Sequence, residues 1–179
     1  YSSAASDVYK RQVQALFDFV PPLEGMWTAV SPDRVRFDLA EPLPPARSWT
    51  AKLVKSTSVD GRAITVPVPI EFQSTSPNVW GVHLDQMSNE DVHLEIRFNQ
   101  PIPGAELNDR IKVTSLFDNT PLPVNMKMTK PQQNHVISVP LPESGDLRVK
   151  VEAGYLGTLG PIAAQQAYAS TVKIPEGLQ

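Results

Sequence analysis

Alternation of apolar and polar residues with a period of two is the feature that most constrains the fold of this chain. The segments Val92–Phe98, Leu147–Val151 and Val35–Leu39 show it most clearly, and Trp49–Leu53 and Val124–Met128 follow the same pattern. Successive side chains of a β-strand point to opposite faces, so each segment would place one face on a core and the other in water. The sequence therefore predicts short, half-buried strands rather than helices.

Turn residues separate these segments at short intervals. The chain has 18 prolines in 179 residues, about twice the usual ~5%, and proline interrupts both helices and central strands. The clearest turn signals are Asp60-Gly61, Pro101–Gly104, Asp118–Pro121 and Pro142–Gly145. Strands of this length at this spacing predict an all-β fold built as antiparallel, immunoglobulin-like sandwiches.

Two other segments carry local predictions. Thr65–Gln73 alternates but contains Pro67 and Pro69, so it is expected at the edge of a sheet, where proline is tolerated. Only Gly104–Asp109 and Pro161–Tyr168 are candidates for a helical turn.

The order of predicted elements occurs twice along the chain. Arg34–Thr75 and His135–Pro175 each read as strand, turn, strand, glycine turn and final strand. We therefore expect two consecutive modules. Residues 13–76 would be the C-terminal part of a first, truncated module, 77–175 a complete second module, and 176–179 the start of a linker to a following module.

The first twelve residues differ from the rest. Residues 2–12, SSAASDVYKRQ, have no apolar periodicity and no apolar core of the kind that a signal peptide needs. One choice of codons for them resembles the adapter of transposase-based sequencing libraries. We therefore expect residues 1–12 to be an artefact without ordered structure, the natural sequence to start near Val13, and the gene to have been cut there.

Composition excludes several classes of function. The chain is 41% hydrophobic with a net charge of −3 and no basic block, so a folded core is expected and nucleic acid is not an expected partner. No apolar run approaches the ~18 residues of a membrane span. The absence of cysteine excludes disulfides, thiol nucleophiles and cysteine-bound zinc in this segment.

Residues that could carry chemistry are few and are not paired locally. His83, His93 and His135 are not spaced as metal ligands on one strand or helix. Ser88–Asp91 is rich in oxygen ligands but lacks the spacing and the glycine of a calcium loop, so a polar turn is the favoured interpretation. No nucleophile elbow, phosphate-binding loop or paired carboxylates occur. The sequence therefore predicts no catalytic residue, no metal and no cofactor.

The three tryptophans are the remaining candidates for binding. Trp49 falls on the apolar face of a predicted strand and is assigned to the core. Trp27 is also core-like. Trp80 lies at the expected junction of the modules, where a buried contact between them is favoured over a ligand platform. Trp27 and Trp80 are kept as a weak possible binding surface, of the kind that stacks on sugars.

One long stretch resembles a known family. FDFVPPLEGMWTAVSPDRVRFDLAEPLPPARSWTAKL (Phe17–Leu53) is similar to the N-terminal immunoglobulin-like modules of bacterial alpha-macroglobulins. The shared features are Gly25 and Trp27 in one strand, Arg-Val-x-Phe at 34–37, Pro-Leu-Pro-Pro at 42–45, and an aromatic residue in the next strand. That aromatic residue is usually tyrosine in the family and is Trp49 here.

A second stretch supports the same resemblance. VHLEIRFNQPIPGAELNDRIKV (Val92–Val113) resembles the opening of the next such module. The resemblance implies a large protein of the periplasm or cell exterior, lipid-anchored in its full-length form, that traps proteases after they cleave a bait region. Many members carry a thioester in a Cys-x-Glu-Gln motif, which this chain lacks. Its modules would be a non-enzymatic scaffold whose partners are neighbouring modules and, for the whole protein, target proteases.

The same module pattern occurs in other classes of protein. The alternatives are an immunoglobulin-like repeat of a bacterial surface adhesin or carbohydrate-binding protein, and an accessory domain of a secreted hydrolase.

Overall fold

The structure is a computed structural model that describes residues 17–31, 34–53, 69–127 and 129–176. Within these residues the chain is all-β, with thirteen strands, a single 3-10 turn at Gly104–Glu106 and no α-helix. All strand pairs are antiparallel. The predicted all-β antiparallel fold is confirmed.

The chain divides into two compact units. Unit 1 comprises Tyr1–Pro44 and Ser48–Ser74, and unit 2 comprises Pro45–Arg47 and Thr75–Gln179. The division near residue 75 lies close to the expected module boundary. The interpretation of unit 1 as only part of a module stays a prediction.

Unit 2 contains eight strands in two four-stranded sheets. They are β6 (Val79–Met87), β7 (Asp91–Ile102), β8 (Ile111–Ser115), β9 (Pro121–Leu122), β10 (Asn125–Met126), β11 (Gln132–Pro140), β12 (Leu147–Val151) and β13 (Tyr168–Val172). The sheet orders are β10-β11-β7-β6 and β13-β12-β8-β9. This is the strand order of an immunoglobulin-like sandwich, in which strands A, B, E and D face strands C, F and G.

The core of unit 2 lies between these two sheets. Inward residues of both sheets form one buried cluster, so the two sheets pack face to face. The strand residues of this cluster are Val79, Val92, Leu94, Ile96, Phe98, Ile102, Ile111, Val113, Ile137, Val139, Leu147, Val149, Val151 and Val172. Half of them, on β7 and β12, occupy the alternate positions that the sequence pattern assigns to the core.

The short segment Pro45–Arg47 also belongs to unit 2. The Ala46 N–H donates to the Thr75 carbonyl oxygen at 2.9 Å, and the Ile162 N–H donates to the Ala46 carbonyl oxygen at 3.0 Å. Gly160 lies so close to the Ala46 carbonyl that a side chain there would collide with it. These bonds account for the assignment of Pro45–Arg47 to unit 2.

Unit 1 contains five described strands. They are β1 (Phe17–Val20), β2 (Gly25–Ser31), β3 (Arg34–Leu39), β4 (Ser48–Leu53) and β5 (Ile70–Gln73). β1, β4 and β5 form one sheet in the order β1-β4-β5, and β2 pairs with β3 in a second. The same arrangement recurs in unit 2, where β8-β12-β13 and the β10–β11 pair follow in the same chain order. Counterparts of β6, β7 and β9 are absent from the described residues of unit 1.

Aromatic rings fill the space between the two sheets of unit 1. Trp27 on β2 lies 5.6 Å from Phe17 and 5.8 Å from Phe19 between ring centroids, and Phe37 on β3 lies 4.8 Å from Phe19 and 5.0 Å from Trp27. All four residues are only half-buried. Unit 1 is therefore held by a partly covered aromatic cluster, in contrast to the closed core of unit 2.

Several local predictions are confirmed. The alternating segments around Phe98, Val149, Phe37 and Ala51 are strands β7, β12, β3 and β4. The described part of Thr65–Gln73 is β5, which lies at the edge of its sheet as its prolines indicate. The helical turn expected at Gly104–Asp109 is the 3-10 turn Gly104–Glu106.

Other local predictions are wrong or concern residues that the structure does not describe. The segment 161–167 is not helical, because its backbone is bonded to distant groups: the Ala164 N–H donates to Tyr155, and Gly154 donates to Ala164. The strand expected at 124–128 is shorter, since only Asn125–Met126 pairs with β11. Residues 1–12 and the predicted Asp60-Gly61 turn lie outside the described residues.

Candidate binding surfaces

Trp80 is exposed on the surface of unit 2. It lies in β6 at an irregularity of the pairing with β7, where the register shifts between Val79 and Gly81. Val79 takes the inward position and is buried, while Trp80 is 68% exposed. A β-bulge redirects a side chain in this way. The expected contact of Trp80 at the module junction stays a prediction.

Trp27 serves as a packing residue of unit 1. Its register partner on β3 is Phe37, so both rings point to the same face of the hairpin, toward Phe17 and Phe19 on β1. Trp49 is buried and stacks on Phe72 with ring centroids 5.9 Å apart, which confirms its assignment to the core. Neither ring is presented as a flat, open platform.

The three histidines have different surroundings. His83 is exposed, and His93 is half-buried on the outer face of β7. His135 is fully buried, with its Nε2 2.7 Å from the Ile102 carbonyl oxygen and its ring edge-on to Phe98. Burial lowers the pKa of His135, and its hydrogen bond to Ile102 opposes that shift. His135 is therefore a satisfied core residue.

The oxygen-rich turn Ser88–Asp91 is closed by its own hydrogen bonds. The Ser88 hydroxyl accepts from the Glu90 N–H at 3.2 Å and from the Asp91 N–H at 3.0 Å. The Ser88 N–H donates to the Asp91 carbonyl oxygen at 2.8 Å. These bonds join β6 to β7 and favour the polar-turn interpretation. In the part of the chain that the structure describes, no group of three or more His, Asp or Glu side chains is placed to hold a metal ion.

A concavity with both apolar and polar lining lies on the outer face of the β10-β11-β7-β6 sheet. Its volume is about 310 Å³, and it is lined by His93, Asn125, Lys127, Gln132, Asn134, Val136, Ile137 and Ser138. Ser138 on β11 lies between His93 on β7 and Asn125 on β10 in the strand register. Amide and hydroxyl groups both donate and accept hydrogen bonds, as sugar hydroxyls do. The concavity can therefore hydrogen-bond an uncharged polar ligand.

Sequence reasoning did not find this concavity. Seven of its eight lining residues lie within 125–138, and His93 lies on β7. Most of them alone resemble solvated positions on the polar face of a strand, and only the pairing of β7, β10 and β11 brings them together. The one available signal was that Asn134 and Ser138, polar residues other than lysine and glutamate, occupy outward positions of β11.

Among the described residues, no helix has the length and apolar character that crossing a membrane requires. Comparison of the chain with protein-family models and with curated protein sequences finds no match. The assignment to a family therefore depends on the two stretches of resemblance in the sequence.

Proposed function

We propose that this chain is a non-enzymatic structural segment of a bacterial alpha-macroglobulin, a broad-spectrum protease-trapping inhibitor of the cell envelope. The observation that supports this most is the position of the two resembling stretches. Phe17–Leu53 lies in unit 1 apart from Pro45–Arg47, and Val92–Val113 lies in unit 2. Each stretch falls in an all-β unit, which is the fold that the resemblance implies.

In this proposal the two units act as scaffold. Unit 2 is a complete module, and unit 1 is the C-terminal part of the preceding one. The side chains that could have carried chemistry have structural roles that suit a scaffold. His135 bonds to Ile102 inside the core, and Ser88 closes a turn. The bait region, and a thioester where one exists, would lie in other parts of the parent protein. The periplasmic or extracellular, lipid-anchored location follows from the resemblance.

The test uses the full-length parent protein and a protease of broad specificity. A trapped protease keeps its active site, so it should still cleave a small peptide substrate while losing activity on a large protein. The present chain, added alone at the same concentration, should change neither activity. Equal loss on small and large substrates would indicate active-site inhibition and would contradict the proposal.

A second candidate is a binding module, either an immunoglobulin-like repeat of an adhesin or carbohydrate-binding protein, or an accessory domain of a secreted hydrolase. The exposure of Trp80 and the concavity beside His93 favour it. An array of neutral and acidic oligosaccharides tests it. Binding that is lost in Trp80→Ala or in the double variant Asn125→Ala/Ser138→Ala, and kept in Phe117→Ala, would favour this candidate. Phe117 is a suitable control because it is an equally exposed aromatic residue of unit 2, in the turn that follows β8.

A further inference from the structure

We propose that unit 1 is a strand acceptor, in which the edge of β3 that has no partner strand among the described residues binds an extended strand of the parent polypeptide that carries large apolar side chains at alternate positions. The inference depends on the interpretation of unit 1 as part of a module. It does not depend on protease trapping, and its test is separate from the protease assay.

By strand order and pairing, β3 of unit 1 corresponds to β11 of unit 2. Phe37 on β3 lies opposite Trp27 on β2, and Ile137 on β11 lies opposite Met126 on β10. Both pairs point toward the facing sheet of their own unit. Because side chains alternate along a strand, Val35 and Leu39 share the inward face with Phe37, as His135 and Val139 do with Ile137.

Equivalent residues differ sharply in burial. Val35 is 43% exposed and Leu39 is 39% exposed, whereas His135 and Val139 are fully buried. Phe37 is half-buried, and Ile137 is fully buried. The face of β3 that should belong to a core is therefore open to water, and apolar area left in this state is a favourable binding surface.

Unit 2 shows which strand lies beside the equivalent face within its sheet. β7 pairs antiparallel with β11, placing Val92 opposite Val139 and Leu94 opposite Ile137. The inward residues of β7 are all fully buried: Val92, Leu94, Ile96 and Phe98. The occupant that fits β3 is therefore an antiparallel strand with apolar residues at i, i+2 and i+4, as in the VHLEIRF segment of β7.

The backbone of β3 also favours a strand over other ligands. Among the described residues β3 pairs only with β2, so its other edge presents N–H and C=O groups that an added strand would satisfy. On the outward face Arg36 pairs with Asp38 at 2.8 Å. The charged residues of β3 are thus directed to water, and they leave the inward positions to apolar side chains.

Covering this face would change the surroundings of the aromatic cluster. Trp27 lies next to Phe37 in the hairpin and is half-buried. An added strand would place side chains over the open side of the cluster. The indole N–H signal of Trp27 in a ¹⁵N-labelled chain is therefore a direct reporter, and the signal of exposed Trp80 in unit 2 is an internal control.

The probe is a synthetic peptide with the β7 sequence DVHLEIRFNQPI, and the control peptide has the same composition with the alternation destroyed. The β7 peptide should shift the Trp27 signal and slow the hydrogen exchange of β3 amides, without shifting Trp80. The control peptide should do neither. Absence of these changes at millimolar β7 peptide, or equal changes with the control peptide, would overturn the proposal.

Two matched lysine variants test the geometry. Leu39→Lys places a charge on the inward face and should weaken binding of the β7 peptide by about tenfold or more. Met26→Lys lies on the outward face, opposite Asp38, and should leave binding unchanged. Unchanged exchange of β12 amides would show that both variants keep unit 2 folded, and Val35→Lys provides a second inward variant if Leu39→Lys disturbs unit 1. Equal loss of peptide binding in the inward and outward variants would overturn the proposal. Protection of β3 amides from hydrogen exchange that grows with chain concentration in the absence of peptide would also overturn it, because a second copy of the chain would then be the occupant.

Discussion

The imidazole Nε2 of His135 lies 2.7 Å from the carbonyl oxygen of Ile102, in the fully buried core of unit 2. A carbonyl oxygen can only accept a hydrogen bond, so Nε2 carries the proton. Nδ1 is then free to accept the amide of Gln132, 3.5 Å away. Both partners lie on the same sheet, and it is burial that favours the neutral form of the ring.

This arrangement predicts that acid destabilises unit 2 through His135. Burial lowers the pKa of His135 below its ordinary 6.5, so the unfolded chain takes up the proton before the folded chain does. The contribution of His135 to the free energy of unfolding is therefore complete above pH 6.5. It is lost as the pH falls from 6.5 through the pKa of His135 in the folded state. Denaturant unfolding of unit 2 at a series of pH values checks it. His135→Gln should flatten the dependence below pH 6.5, and His83→Gln should not. An unchanged slope in His135→Gln would contradict the prediction.

Truncation of Phe98 should strongly destabilise the core of unit 2. Phe98 is fully buried, and its ring meets Tyr155 and His135 edge-on at centroid distances of 5.5 and 5.8 Å. Phe98→Ala should lower the free energy of unfolding by about 3–5 kcal/mol, because it removes buried area and leaves a cavity. Val35→Ala in unit 1 should have an effect of less than about 1 kcal/mol, since Val35 is already largely exposed. Similar losses for the two variants would show that the β3 face is covered.

Leucine substitutions at two neighbouring amide side chains of β7 should change the stability of unit 2 in opposite directions. Gln100 is buried, and its Oε1 and Nε2 have no hydrogen-bond partner among the described residues. Asn99 bonds to the Ser76 carbonyl oxygen and the Asn78 N–H, both at 2.9 Å. Gln100→Leu should therefore stabilise unit 2 by about 1 kcal/mol, and Asn99→Leu should destabilise it by about 1–3 kcal/mol. Thermal unfolding of both variants measures the difference, and destabilisation by Gln100→Leu would mean that its amide has a partner such as bound water.

Strands with uninterrupted alternation could be predicted from the sequence. β12 extends over Leu147–Val151, and β7 contains the whole predicted segment Val92–Phe98. β6 was not predicted, although it has nine residues. Its register shifts between Val79 and Gly81 and again between Leu84 and Gln86, so its side chains change face twice. Two such bulges remove the period of two that a sequence search detects.

Properties that depend on strand pairing could not be predicted in the same way. The burial of His135 could not be predicted because histidine is a polar residue, although His135 lies on the same face of β11 as Ile137 and Val139. The exposure of Trp80 depends on a bulge, and the concavity beside His93 depends on which strands become neighbours. The open face of β3 likewise follows from the absence of a β7 counterpart among the described residues. Alternation predicts which residues face inward but not whether another strand covers them.

Amide hydrogen exchange of the intact chain tests the central claim, that unit 2 is a closed sandwich and unit 1 an open one. Amides of β11 that pair with β7 and β10 should exchange only through unfolding of unit 2. Amides of β3 should exchange orders of magnitude faster, because one edge and the inward face of this strand are open to water. Protection of β3 equal to that of β11 would contradict the account and would show that unit 1 is a complete module.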